Sequence, residues 1–298
     1  MRSAIVGARH VRLPGYGDAF NCKPMIDLAP NNPYGLALAQ PVLAAAGCFG
    51  YGVEYARNVD LAQLGAIVTR TTTLHPRRTP RPPRIVETPA GLLSVGPWPN
   101  PGLEAVLNRY APQWAALATP VILSVGGDAV GDFAQIAEAV AGVAGVAGLE
   151  LALPSDISRA VAVVTAARRA TFLPLLVKLP PLDAEPLLAL AQALVAAGAD
   201  ALVACAAPRG MAIDTASGER LEGWLSGPAL RPLGLRLVAE LAPQLSVPVI
   251  GCGGVSSADD ARAYLGAGAL AVQIGAALLV NPYCAAEIGA ALALTPPL

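Results

Sequence analysis

The sequence predicts an α/β fold of the (β/α)8 class, a TIM barrel with an N-terminal hairpin and long loops at its C-terminal face. Three observations carry that expectation. Short apolar runs alternate with longer amphipathic ones, the short runs are apolar on both faces, and eight of each can be counted. A strand reads that way when helices cover one side of the sheet and a core fills the other. A doubly wound open sheet is the second architecture with this alternation.

The expected strands are VLAAAG (42–47), GAIVTR (65–70), PVILSV (120–125), GLELAL (148–153), PLLVKL (174–179), DALVAC (200–205), VPVIGC (247–252) and LAVQIG (270–275). The expected helices are 53–62, 102–116, 129–142, 156–170, 184–198, 228–243, 257–267 and 282–292. Asp183 stands before one of them and Gly198 closes it. Ser256-Ser257-Ala-Asp-Asp opens another, with acids in the first turn, where the helix dipole favours them. Residues 17–40 are expected to form a hairpin plugging the far end of the barrel. The chain then reads as one domain over 1–298, an extension over 1–40 and a barrel over 41–292. Residues 74–100, rich in Pro and Arg, and residues 206–227 are expected to be long loops. Both follow strand C-termini, the face where barrel enzymes carry their sites.

Composition narrows the function. Hydrophobic residues make up 54% and charged residues 14%, which excludes a disordered chain. A net charge of −1 gives no bulk attraction to nucleic acid. No apolar run reaches the roughly 18 residues of a membrane span. The segment around Arg2, Arg9, His10 and Arg12 lacks the apolar core of a signal peptide. Cys22, Cys48, Cys205, Cys252 and Cys284 are scattered with no CxxC spacing, so no metal or cluster ligation by this chain is expected. A thiol in an apolar run is by default a buried one. A cytoplasmic protein of enzyme size is expected.

The strongest local signal is VIGCGGVSSADDARAYLGAGALAVQIGAALLVNP (249–282). The seventh strand ends in Gly251-Cys-Gly253-Gly254 and the eighth in Gly275-Ala276, each before a helix. Such glycines let backbone N–H groups approach an anion, and the helix N-termini add positive dipole ends. The loops after strands seven and eight are the usual phosphate site of a barrel. Ser226-Gly227 offers further N–H groups. Tight turns alone are the plainer explanation of either half. No P-loop or GxGxxG is present. Lys178 ends the fifth strand in an apolar run, where a lysine is costly unless paired. It reads either as a structural ion pair or as a charge facing a bound cofactor.

The segments AGCFGYGVEYA (46–56), LGAIVTRTTTLHPR (64–77), PRIVETPAG (83–91), LVKL (176–179), RGMAID (209–214), LSGPALRP (225–232) and the 249–277 stretch together resemble class 1 dihydroorotate dehydrogenases. The likeness is greatest to the NAD-linked kind, which works with an iron–sulfur flavoprotein subunit. The resemblance implies a barrel that holds FMN and oxidises dihydroorotate to orotate in pyrimidine biosynthesis. A base takes a proton from one carbon while hydride leaves the adjacent carbon for the flavin. It implies that the flavin phosphate rests on Gly227, Gly253, Gly254, Gly275 and Ala276, with Ala276 standing where Thr is usual. It places Arg70, Thr71, Ser124, Lys178 and Cys205 around the flavin. It also implies a homodimer or hetero-oligomer.

The substrate side departs from the family. ELALPSDI stands where the family has a motif like ELNISCPN. Ser155 takes the place of the catalytic cysteine, and Ala152 and Ile157 replace two asparagines. Ser94, Ala206 and Ala207 stand at substrate-binding positions where Asn, Asn and Thr are usual. Ser124 replaces an asparagine, Arg70 a lysine, and the mobile loop after the fourth strand is shorter. Ser155 therefore reads either as the base or, with Asp156, as the cap of the next helix. Arg70 reads either as a binder of an anionic substrate or flavin or as a rim ion pair. Trp98 reads as a stacking surface or as a filler of vacated space. Two further readings remain beside a dehydrogenase with altered substrate: a non-catalytic FMN-binding paralogue, and a barrel for another phosphorylated ligand.

Overall fold

A computed structural model describes residues 26–78, 82–96, 99–154, 156–181, 184–214 and 217–294. Strands β1 (Ile26–Asp27) and β2 (Ala37–Leu38) pair antiparallel. Asp27 shapes their connection, its Oδ1 accepting the amides of Ala29 at 2.9 Å and Leu36 at 2.8 Å. The expected hairpin is thus present from Ile26, and residues 17–25 lie outside the described residues.

There follow β3 (Val42–Ala44), β4 (Ala66–Val68), β5 (Ile85–Thr88) and β6 (Gly91–Val95), then α1 (Leu103–Arg109) and α2 (Ala111–Trp114). Next come β7 (Val121–Val125), α3 (Val130–Ala139), β8 (Val146–Ala152), α4 (Ile157–Ala170), β9 (Leu175–Lys178), α5 (Ala184–Ala196) and β10 (Ala201–Ala204). The chain continues with β11 (Arg209–Ile213), β12 (Arg220–Ser226), α6 (Arg231–Leu241), β13 (Val249–Cys252), α7 (Ala258–Gly266), β14 (Ala271–Ile274), α8 (Ala277–Val280) and α9 (Cys284–Ala293). Strands β3, β4, β7, β8, β9, β10, β13 and β14 close a parallel barrel in that order. The expected fold class is the observed one.

Side chains alternate in and out along each strand. The outward set, such as Ile67, Leu123, Leu151, Val177 and Val272, joins the core beneath the helices. The inward set begins with Leu43, Val68, Ile122, Leu176, Val203 and Ile250, which pack on Leu28, Leu36 and Leu38 of the hairpin. The hairpin therefore plugs the barrel's N-terminal end. Asp200 ties it down, accepting from Asn32 Nδ2 at 3.1 Å, Arg168 at 2.9 Å and the Leu175 amide at 2.8 Å. Two residues further along several strands, the inward positions change character. Ile122 is followed by Ser124, Leu176 by Lys178, Val203 by Cys205 and Ile250 by Cys252. The barrel is apolar below and polar at its mouth.

Two expectations need correction. Residues 53–62 form no α-helix. Successive bonds from Gly52 to Phe49, Tyr55 to Gly52 and Asn58 to Tyr55 make turns that end in a 3-10 turn at Leu61–Gln63. The aromatic rings hold this path, with Phe49 stacked on Tyr55 at 4.3 Å and Tyr51 on Tyr110 at 4.2 Å. The two long loops are not irregular. Strands β5 and β6 from one and β11 and β12 from the other make a four-stranded antiparallel sheet in the order β11-β12-β6-β5. Their β-prone stretches IVET and RLEGWLS were hidden by the flanking prolines and arginines. The helix expected directly after Gly275-Ala276 is the short α8, separate from α9. Ser257 caps α7, accepting the Asp260 amide at 3.1 Å, as the sequence suggested. Asp183 lies outside the described residues.

Candidate active site at the barrel mouth

The polar layer is built around one buried ion pair. Lys178 Nζ stands 3.1 Å from Glu150 Oε1 and donates to Gln273 Oε1 at 2.8 Å. Gln273 Nε2 donates to Glu150 Oε2 at 2.5 Å. Glu150 and Gln273 are both fully buried. The amide of Gln273 bridges the two charges, its oxygen to the cation and its nitrogen to the anion. Burial works against the Lys178 charge, yet the Glu150 carboxylate outweighs it and holds the ammonium above its ordinary value. Cys205 and Cys252 follow on the next strands, Val203 lying opposite Lys178 and the Cys205 amide donating to Cys252 O at 3.2 Å. Burial pushes Cys48 and Cys205 up to about 12 and Cys252 up as well. They are neutral thiols at physiological pH and poor nucleophiles as they stand.

Beside this layer lies a cavity of about 490 Å³, lined by Gly227, Gly253, Gly254, Gly275 and Ala276 among others. That volume suits a small-molecule ligand. Gly227, Gly253 and Gly254 have φ of 114°, 125° and 69°, which side chains rarely adopt. The turns also touch, since a Cβ on Gly254 would stand 3.0 Å from the Gly227 carbonyl and 2.8 Å from the Arg231 amide. Gly275 differs. A Cβ there would meet nothing nearer than Ala45 at 3.7 Å. The protein itself does not require that glycine, and its open side belongs to the cavity wall. A phosphate cradled by backbone amides fits these residues.

The other anticipated residues fall in three places. Cys205 and Ala207 line the same cavity, and the Ala206 amide donates to Leu179 O at 2.9 Å. Thr71 and Ser124 face each other, hydroxyl to hydroxyl, at 2.9 Å. Arg70 follows β4, its amide donating to Gly50 O at 2.7 Å. Its Nε is buried and has no acceptor among the described residues. Ser94 is buried on β6, opposite Trp224 of β12 and Ile85 of β5. The cap of α4 is Asp156, whose carboxylate accepts the Arg159 amide at 2.7 Å. Ser155 and Trp98 lie outside the described residues.

A model of the dihydroorotate dehydrogenase family matches residues 29–294. The chain belongs to the dihydroorotate dehydrogenase family. It is 38% identical over 270 residues to a Bacillus pumilus protein named dihydroorotate dehydrogenase B (NAD(+)), catalytic subunit, covering 85% of this chain and 87% of that one. Proteins of the same name from Desulforudis audaxviator and Pelobacter propionicus are each 40% identical. These matches cover 87% and 86% of this chain and 89% and 90% of theirs.

Within this dihydroorotate dehydrogenase family member, the glycine turns line the cavity and Lys178 stands in the buried layer beside it. Sequence reasoning found Lys178 but missed its partners. The signal was present. GLELAL and LAVQIG each carry one polar residue in an apolar strand, and a fully buried glutamate implies a partner. Among the described residues no three His, Cys, Asp or Glu side chains gather as a metal site, and no helix is long and apolar enough to cross a membrane.

Proposed function

We propose that this chain is an FMN-dependent oxidoreductase that acts on dihydroorotate or a close anionic analogue. It would work in the cytoplasm as the catalytic member of a hetero-oligomer. The observation that carries this reading is the convergence of three glycine turns on one cavity beside the Lys178 charge. Gly227, Gly253, Gly254, Gly275 and Ala276 would hold the phosphate of FMN. Lys178, Cys205, Ser124 and Thr71 would border its ring system. Bound FMN would supply the hydride acceptor. Ser155, at the place of the family's cysteine, is the residue we assign to the proton leaving the substrate carbon. Arg70, with its unsatisfied buried Nε, would bind the substrate's negative charge.

The substrate half of the reading is the altered one. Ala206 and Ala207 offer no side-chain donors, and each lost pairing costs about 1–3 kcal/mol. Weak orotate binding follows, and a turnover preference for another flat anion. The relatives are named catalytic subunits, and a subunit implies a companion. An iron–sulfur flavoprotein companion would take the electrons onward. Those names also argue against the non-catalytic reading.

Visible absorption of the purified protein tests this, first as isolated and then with dihydroorotate added without oxygen. A yellow protein that bleaches is expected. A colourless protein that refuses FMN sinks the cofactor assignment. A yellow protein that dihydroorotate leaves oxidised sinks the substrate assignment alone.

A further inference from the structure

Helix α6 carries Gly234 in its interior, where glycine is unfavourable, and β13 carries Gly251. Both make room for one side chain. A Cβ on Gly234 would run into the Tyr264 hydroxyl, and a Cβ on Gly251 into the Tyr264 ring. Tyr264 is fully buried on α7. Its hydroxyl donates to the Gly253 carbonyl at 2.8 Å and lies 3.4 Å from the Arg231 carbonyl. Gly253 opens the glycine turn of the cavity.

The consequence follows from peptide geometry. In a trans peptide the N–H points opposite to the C=O. With the Gly253 carbonyl tied back to Tyr264, the Gly254 N–H points the other way. Gly254 lines the cavity, and its amide donates to no acceptor among the described residues. One turn earlier on α7, Asp260 accepts both the amide and the hydroxyl of Ser256 at 3.0 Å and pairs with Arg231. The same helix therefore grips the turn at both ends, Gly253 through Tyr264 and Ser256 through Asp260.

We propose that Tyr264 is a positioning residue for phosphate recognition: by holding the Gly253 carbonyl it aims the Gly254 amide into the cavity. This rests on the FMN reading above, and it adds a buried residue that lies outside the glycine turns themselves. It also explains why α6 tolerates a glycine in its interior.

The test compares FMN with riboflavin, which lacks the phosphate. The full chain, stripped of flavin, is titrated with each and followed by flavin fluorescence. Tyr264→Phe keeps the ring and removes the hydroxyl. It is expected to weaken FMN about five- to tenfold, the worth of one aligned hydrogen bond, and to leave riboflavin unchanged. Equal weakening of both flavins, or no weakening of FMN, overturns the proposal. A wild-type chain that binds neither flavin overturns the FMN reading and this proposal together. A second variant guards against misfolding. Gly234→Ala should weaken FMN in the wild-type background by displacing the hydroxyl, and should do much less in Tyr264→Phe. Strict additivity of the two substitutions overturns the coupling.

Discussion

Lys178 and Glu150 stand on adjacent barrel strands, both pointing inward, with Nζ 3.1 Å from Oε1 in a setting that leaves only 13% and 1% of their side chains exposed. Such a pair adds little net stability when intact but is damaging to break from one side. Lys178→Ala should therefore cost about 3–5 kcal/mol, because Glu150 is left charged and buried. The double variant Lys178→Met/Glu150→Gln should cost clearly less. Urea unfolding of the three proteins checks the order. A single variant milder than the double would show that the charges are not coupled. The pH dependence follows in sign. The native Lys178 ammonium is held above its ordinary 10.5, so on the alkaline side its contribution persists up to that value and is lost as pH rises through the higher native one.

Asp260 gives the opposite limb. Burial opposes its charge, but the Ser256 amide, the Arg231 guanidinium and the Ser256 and Ser257 hydroxyls together hold its carboxyl below the ordinary 3.8. A depressed native value means stability that is present above 3.8 and lost as pH falls through the native value. The difference in melting temperature between wild type and Asp260→Asn should be flat from neutrality to about pH 5 and shrink below pH 4. A gap that widens on acidification would contradict the assignment.

Two glycines of the same cradle should answer differently to alanine. Gly227 has a φ of 114°, and its added Cβ would stand 2.5 Å from the Gly91 Cα. Gly227→Ala should lose about 1–3 kcal/mol from the backbone conformation alone. Gly275 lacks that conformation and has open space, so Gly275→Ala should fold with nearly unchanged stability. Its methyl would instead intrude on the cradle. Losing one charge-assisted hydrogen bond, about 1.5–3 kcal/mol, corresponds to a fall in FMN affinity of roughly ten- to a hundredfold. Thermal melts of the flavin-free proteins separate the two cases.

The part of this structure legible in the sequence is the part that single strands and turns encode locally. The eight barrel strands could be read because VILSV or LLVK must be apolar on both faces wherever they sit. The glycine turns could be read because a positive φ is a local demand, as at Gly253 and Gly254. Pairings across the fold could not. Gln273 and Glu150 are 123 residues apart and come from non-adjacent strands, so only barrel closure brings them together. The sheet made from β5, β6, β11 and β12 has the same origin, two remote loops supplying each other's hydrogen bonds. On the substrate side, the resemblance suggests lost contacts at Ala206 and Ala207, and nothing local in the sequence suggests what takes over.

Ser155 and Asp156 offer the sharpest separation of folding from chemistry. The sequence left both as possible caps of α4, and the structure gives that task to Asp156, which accepts the Arg159 amide at 2.7 Å. Removing a capping carboxylate costs about 1 kcal/mol. Asp156→Ala should therefore lower unfolding free energy by about that amount and leave flavin reduction rates within a small factor. Ser155→Ala should do the reverse, with unchanged unfolding and a large loss in the anaerobic reduction rate. The role proposed for Ser155 rests on the resemblance of its segment to the family's motif, and positioned proton transfer contributes about 10²–10⁴-fold to rate. Stopped-flow bleaching of the flavin and urea melts, run on both variants, give the four numbers needed. If Ser155→Ala loses stability and keeps its rate, Ser155 is a structural residue and the proton must leave by another group.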